Sequence, residues 1–143
     1  EKNGVTLICV TLNAPDDWND HKKMYDYGFS VTESRNVSFD CSELRVKAAG
    51  GTVSELPVEL ESIPAYTIVN GAEPEITSEI LIPDFVYAPI EKGDSVGKVI
   101  FYSDGKLMCT VNMVAKTGCE AVVSRHKPSV YETVLEWFKQ IID

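Results

Sequence analysis

Ser95-Val96-Gly97-Lys98-Val99-Ile100-Phe101-Tyr102 and Lys106-Leu107-Met108-Cys109-Thr110-Val111-Asn112-Met113-Val114-Ala115, on either side of Ser103-Asp104-Gly105, decide the fold. Both runs are rich in β-branched and aromatic residues, and an Asp-Gly pair suits the positive-φ positions of a tight hairpin turn. The same texture spreads outward over residues 31–127. Short β-branched stretches alternate there with Gly50-Gly51, Asn70-Gly71 and Lys92-Gly93-Asp94. Strands are predicted near 31–41, 44–48, 56–62, 66–69, 76–82, 95–102, 107–115 and 119–123. Many short strands at this spacing predict a small antiparallel β-sandwich or barrel, so the fold class is mainly β.

Two different textures flank this body. Val5 to Leu12 is almost continuously apolar, the pattern of a strand buried on both faces. Asn13-Ala14-Pro15-Asp16-Asp17 places acids and a proline where a helix starts. Trp18, Lys22, Tyr25 and Phe29 follow at helical spacing, with Gly28 as the expected stop. Residues 1–30 therefore read as a strand–helix remnant that does not bury its own faces, the end of a larger α/β sheet. At the other end, residues 128–143 read as an amphipathic helix. Val130, Tyr131, Val134, Leu135, Phe138, Ile141 and Ile142 fall on one face, with Trp137 at its margin. At 1.5 Å per residue it would be roughly 24 Å long, too short to cross a bilayer comfortably.

Charge excludes one class of partner. The net charge of −9 is spread along the chain, and no basic stripe exists to track phosphates, so nucleic acid is not expected. No apolar run approaches the eighteen or so residues of a spanning helix. The chain opens Glu1-Lys2-Asn3-Gly4, which reads like the interior of a longer protein. Cys9, Cys41, Cys109 and Cys119 have no Cys-x-x-Cys spacing. Cys109 and Cys119 flank a turn and have the option of pairing, but isolated small apolar cysteines in cores are commoner.

The stretch from Gly4 through Asn13-Ala14-Pro15-Asp16-Asp17-Trp18 to Tyr27-Gly28-Phe29 resembles the last strand and closing helix of the penicillin-binding domain in serine-type D-alanyl-D-alanine carboxypeptidases of the penicillin-binding protein 5 kind. A second stretch, with Ala88-Pro89-Ile90, Lys92-Gly93-Asp94, Val96-Gly97, Asp104-Gly105 and Val114-Ala115, resembles the β-rich C-terminal domain of that family. The amphipathic tail stands where such enzymes carry a membrane-surface helix. The resemblance thus implies three parts: 1–30 as the end of the catalytic domain, 31–127 as the β-sandwich and 128–143 as the helix. It implies a bacterial envelope protein on the outer face of the cytoplasmic membrane. The parent would remove a terminal D-Ala from peptidoglycan through an acyl-serine, and penicillin would acylate the same serine.

In that family the Ser-x-x-Lys, Ser-x-Asn and Lys-Thr-Gly motifs lie upstream of the strand with which this chain begins. The resemblance therefore implies an inactive chain. Yet Ser34-Arg35-Asn36, Ser95-Val96-Gly97-Lys98 and Lys116-Thr117-Gly118 match all three patterns. Their order is scrambled, and the mechanism needs the serine at a helix start with the lysine one turn on. Ser95 lies in strand sequence, where positions i and i+3 face opposite ways, so Lys98 is expected to point away. These matches read as coincidences, and no catalytic residue is assigned. Asp17 and His21 share a helix face, but two ligands make no metal site, so that face reads as solvated. His126, between Arg125 and Lys127, reads as a small basic surface cluster. No metal or other cofactor is expected.

The expected function is non-catalytic scaffolding of the parent's catalytic domain relative to the membrane. The partners implied are that catalytic domain and a membrane surface or protein met by Val134, Leu135, Trp137, Phe138, Ile141 and Ile142. The unpaired first strand is expected to pair with the same strand of another copy in a homo-oligomer, to pack on the sandwich, or both. The competing reading is a stand-alone β-sandwich module that binds cell wall or a protein. A biotinyl or lipoyl carrier would need a lysine at a hairpin tip, and Lys106 after Asp104-Gly105 is a poor substitute.

Overall fold

The computed structural model describes residues 1–13 and 15–122. One helix, α1 (Asp17–Val31), leads into β1 (Thr32–Asn36). There follow β2 (Arg45–Ala49), β3 (Glu55–Leu60), β4 (Ala65–Val69), β5 (Ile76–Leu81), β6 (Val86–Tyr87), β7 (Ser95–Ser103) and β8 (Lys106–Ala115). The predicted tail helix at 128–143 lies outside the described residues.

The hairpin that opened the sequence reading forms the centre. Ser103 pairs with Lys106, leaving Asp104 (φ 49°) and Gly105 (φ 72°) as a two-residue loop with positive φ at both positions. That conformation matches the right-handed twist of the flanking strands, and glycine adopts it without strain. Around β7 and β8 grows a six-stranded sheet in the order β5-β7-β8-β3-β2-β6, while β1 and β4 form a separate two-stranded ribbon. Every pairing is antiparallel except β2 with β6, where Ala48 and Ala49 pair with Val86 and Tyr87. This short parallel edge departs from the all-antiparallel expectation. After β5 the chain crosses to the opposite edge of the sheet and runs beside β2 in the same direction.

One core unites the sheet. Val46, Leu56, Val58, Val99, Phe101, Val111, Met113 and Ala115 are buried with Val37, Val96, Ile90 and Cys119. Period-2 alternation puts these side chains on one face, as in Val99 opposite Val111 and Val46 opposite Leu56. Phe101 is fully enclosed, and Phe39 meets it edge-on at 5.5 Å. All four cysteines are free thiols, so Cys109 and Cys119 sit apart as small core residues.

Three expectations are corrected. Val5–Leu12 forms no ladder strand; its only pairing is an isolated bridge between Lys2 and Val5. A strand is defined by its ladder neighbours, and among the described residues no strand lies beside this segment. Gly28 does not end α1, which continues to Val31; the glycine instead leaves room for Leu7, which packs where a side chain would stand. The strand expected over 119–123 is reduced to bridges at Cys119 and Ala121.

Candidate functional site

The N-terminal segment and α1 make a two-layer unit. Leu7, Cys9 and Thr11 turn toward the helix, and Ile8, Val10 and Leu12 turn away. Leu7 lies over Gly28, Cys9 Sγ is 3.6 Å from Met24 Sδ, and Thr11 Oγ1 is 2.9 Å from His21 Nε2. Alternate residues of the segment thus step down the helix from Gly28 to Met24 to His21, so the segment runs antiparallel to α1. It keeps the period-2 alternation of a strand without the ladder. The outward face is apolar and open: Ile8, Val10 and Leu12 are 88%, 76% and 90% exposed. A soluble domain rarely leaves three such neighbours uncovered on an extended segment.

The helix itself shows why its spacing was legible. Tyr25 and Phe29 stack at 6.1 Å, and His21 meets Tyr25 edge-on at 6.5 Å. Trp18 stands 85% exposed instead of joining them. His21 is taken up by Thr11 and not by Asp17, and no group of three metal-ligating side chains occurs among the described residues.

The three motif matches are dispersed. Ser34-Arg35-Asn36 lies on β1 in the two-stranded ribbon, where Arg35 pairs with Glu33 and Glu73. Ser95 and Lys98 lie on β7 in the other sheet, and Lys116-Thr117-Gly118 forms the turn after β8. One detail of the sequence argument is corrected. A register shift between Ser95 and Gly97 breaks the alternation, so Val96 and Val99 are both buried while Ser95 and Lys98 are both exposed. The two therefore do not point to opposite faces. Even so, no helix start carries Ser95, and among the described residues no hydrogen bond joins it to Lys98, so the pair lacks the geometry of an activated serine. Lys106 is the first residue of β8, paired with Ser103, and not at the hairpin tip.

A second surface was not anticipated from the sequence. An open cleft of about 690 Å³ lies where the turn before β2 meets β3 and the end of β8. Arg45, Lys92 and Lys116 line it together with Ser42, Glu59 and Thr117. These cations come from separated stretches of an acidic chain, so only the topology brings them to one place. The residues Val134, Leu135, Trp137, Phe138, Ile141 and Ile142 lie outside the described residues, as does His126.

Residues 21–121 match the family described as penicillin-binding protein 5, C-terminal domain. No curated protein sequence matches the chain. Among solved structures, penicillin binding protein 5 from Haemophilus influenzae aligns with a TM-score of 0.55 at 22% identity, over 71% of this chain and 30% of that one. The D-alanyl-D-alanine carboxypeptidase DacD from Francisella tularensis aligns with a TM-score of 0.43 at 16% identity, over 73% of this chain and 27% of that one. The chain thus corresponds to less than a third of each of those proteins. With its match spanning most of the β-rich body, the chain belongs to the penicillin-binding protein 5 C-terminal domain family.

Proposed function

We propose that the chain is the non-catalytic C-terminal part of a peptidoglycan D-alanyl-D-alanine carboxypeptidase of the bacterial envelope. Residues 1–30 close the catalytic domain, the β-rich body over 31–127 holds that domain at a set distance from the outer face of the cytoplasmic membrane, and 128–143 meets the membrane surface. The single observation that carries this reading is the open apolar face of Ile8, Val10 and Leu12, backed by α1 and set directly before a domain of this family. A sheet that received this segment as its last strand would satisfy its unpaired backbone and cover its outer face. The catalytic domain of the same parent is the partner that fits this description. The same unpaired edge would join two copies when no such sheet is present.

The reading is tested by intact mass after incubation with a reactive penicillin, for this 143-residue chain beside the full-length parent. The expected result is one acyl adduct on the parent and none on the chain. An unmodified parent would remove the carboxypeptidase assignment, and an adduct on Ser95 would restore the local motifs as a site.

A further inference from the structure

We propose that the cleft between the turn before β2, the start of β3 and the end of β8 binds an anionic ligand presenting several oxygens, a polycarboxylate or a phosphate. The inference stands apart from the carboxypeptidase reading, since it rests on the β-rich body alone.

Three cations converge on the cleft from rigid backbone. Arg45 pairs across the strands with Pro57, whose carbonyl accepts the Lys116 N–H at 2.9 Å. Lys92 precedes Gly93, whose N–H donates to the Ala115 carbonyl at 2.8 Å, and Ala115 is the neighbour of Lys116. Backbone bonds therefore tie all three positions together. One guanidinium nitrogen of Arg45, Nη1, donates to the Ser42 and Leu44 carbonyls at 2.7 and 2.9 Å. That curl fixes the group, and Nε and Nη2 have no partner among the described residues. Neither Arg45, Lys92 nor Lys116 forms an ion pair among the described residues.

The surroundings sharpen the sign. The chain carries a net charge of −9, yet the cleft lining holds three cations against one carboxylate, that of Glu59. The nearby Asp40 carboxylate is occupied by the Ser42 N–H and hydroxyl at 2.8 and 3.0 Å. Thr117, also among the lining residues, carries a hydroxyl that can donate as well. Guanidinium and ammonium groups with a hydroxyl donor make the donor set that carboxylate and phosphate oxygens accept from. A cationic ligand would find a single carboxylate, that of Glu59, among the lining residues.

The test titrates citrate and, separately, inorganic phosphate into the full isotopically labelled chain, following backbone amide shifts. Saturable shifts centred on Arg45, Lys92, Lys116 and Thr117 are expected for at least one of the two. Lys92→Gln combined with Lys116→Gln should weaken binding roughly fivefold or more, from the worth of an exposed ion pair. Lys106→Gln, at the far end of the β7–β8 hairpin, should leave it unchanged. Citrate alone would assign a carboxylate ligand and phosphate alone a phosphate. Absence of saturation with both anions, or binding indifferent to the double variant whose spectrum still shows the fold, would overturn the proposal.

Discussion

Asp104 and Glu75 hold each other in both directions: the Asp104 N–H donates to the Glu75 carbonyl at 2.9 Å, and Asp104 Oδ1 accepts the Glu75 N–H at 2.9 Å. This pair of bonds ties the tip of the β7–β8 hairpin to the approach to β5. It fixes the register in which Ile76 meets Ser103 and Leu81 meets Lys98. Asp104 also sits at positive φ, which Asp and Asn tolerate better than alanine does. Asp104→Ala should therefore lower stability by about 1–2 kcal/mol, from the lost acceptor and the backbone strain together. Asp104→Asn, which keeps an acceptor oxygen, should cost clearly less. Urea unfolding of the two variants at neutral pH compares them directly, and equal losses would show that the side-chain acceptor contributes nothing.

Gly51 makes the opposite point about a glycine, because its φ is ordinary and its constraint is space. A methyl group added there would collide with Cys119 Sγ and press within 3.2 Å of the Val53 carbonyl. Cys119 is buried and bridges to Ile90, so it has little room to retreat. Gly51→Ala should destabilise by about 1–3 kcal/mol, the usual range for overpacking. Gly51→Ala with Cys119→Ala should recover part of the loss, since the sulfur is the first atom met. Thermal unfolding of the single and double variants measures that coupling.

Two acids near the sheet margin set an acid limit. Glu33 is held below the ordinary carboxylate range by its hydrogen bond to Arg35 and then by the charge of Arg35. Asp40 is lowered by the Ser42 backbone N–H and then by the Ser42 hydroxyl. A lowered folded value means that the folded state binds fewer protons than the unfolded chain. The stabilisation is thus complete above the ordinary carboxylate range and is lost as pH falls through the lowered values. Both groups are exposed, so the effect is small and screened by salt. Urea midpoints should fall on acidification, and Glu33→Gln with Asp40→Asn should flatten that fall.

Tyr102 acts at the other end of the scale. Partial burial, and then its hydrogen bond to Glu79 at 3.2 Å, raise its phenol above the ordinary tyrosine range. The folded state keeps the proton longer, so this contribution is present below the ordinary tyrosine range and is lost as pH rises through the raised value. Tyr102→Phe should lessen the alkaline fall in the urea midpoint. An unchanged alkaline limb would exclude the Glu79 contact as its source.

What was legible in the sequence follows from the range of the interactions involved. The β7–β8 hairpin and the start of α1 rest on neighbours a few residues apart, and Asp104-Gly105, Pro15 and Asp17 announce them locally. Gly28 misled because its reason for being glycine is Leu7, twenty-one residues earlier and not helix termination. The bulge at Ser95–Gly97 left no sign in the alternation of residue types, so the face of Lys98 was misjudged. The cleft of Arg45, Lys92 and Lys116 was invisible for a stronger reason. Its members are scattered in sequence, and only the β2–β3 and β3–β8 pairings, with the Gly93–Ala115 bond, bring them together. The short β6 was missed because two residues carry no periodicity.

The N-terminal segment supports a prediction that joins fold to function. Its inner face is held by Leu7 on Gly28 and by Thr11 at His21, so Ile8, Val10 and Leu12 are presented in fixed order and not at random. Each would gain about 1.5–3 kcal/mol on full burial against a partner sheet, before the cost of association is subtracted. On the function proposed above, a sheet of the parent's catalytic domain would cover them, and without it a second copy of the chain would offer the same unpaired edge. Sedimentation of the isolated chain should therefore show average mass rising with concentration. Ile8→Thr, Val10→Thr and Leu12→Thr together should hold it monomeric by removing the apolar face, and should leave its unfolding unchanged because they lie outside the buried β core. In a full-length parent that takes this segment into its sheet, the same three substitutions should lower thermal stability. A parent indifferent to them would separate this segment from the catalytic domain and leave its exposed face without the partner assigned to it.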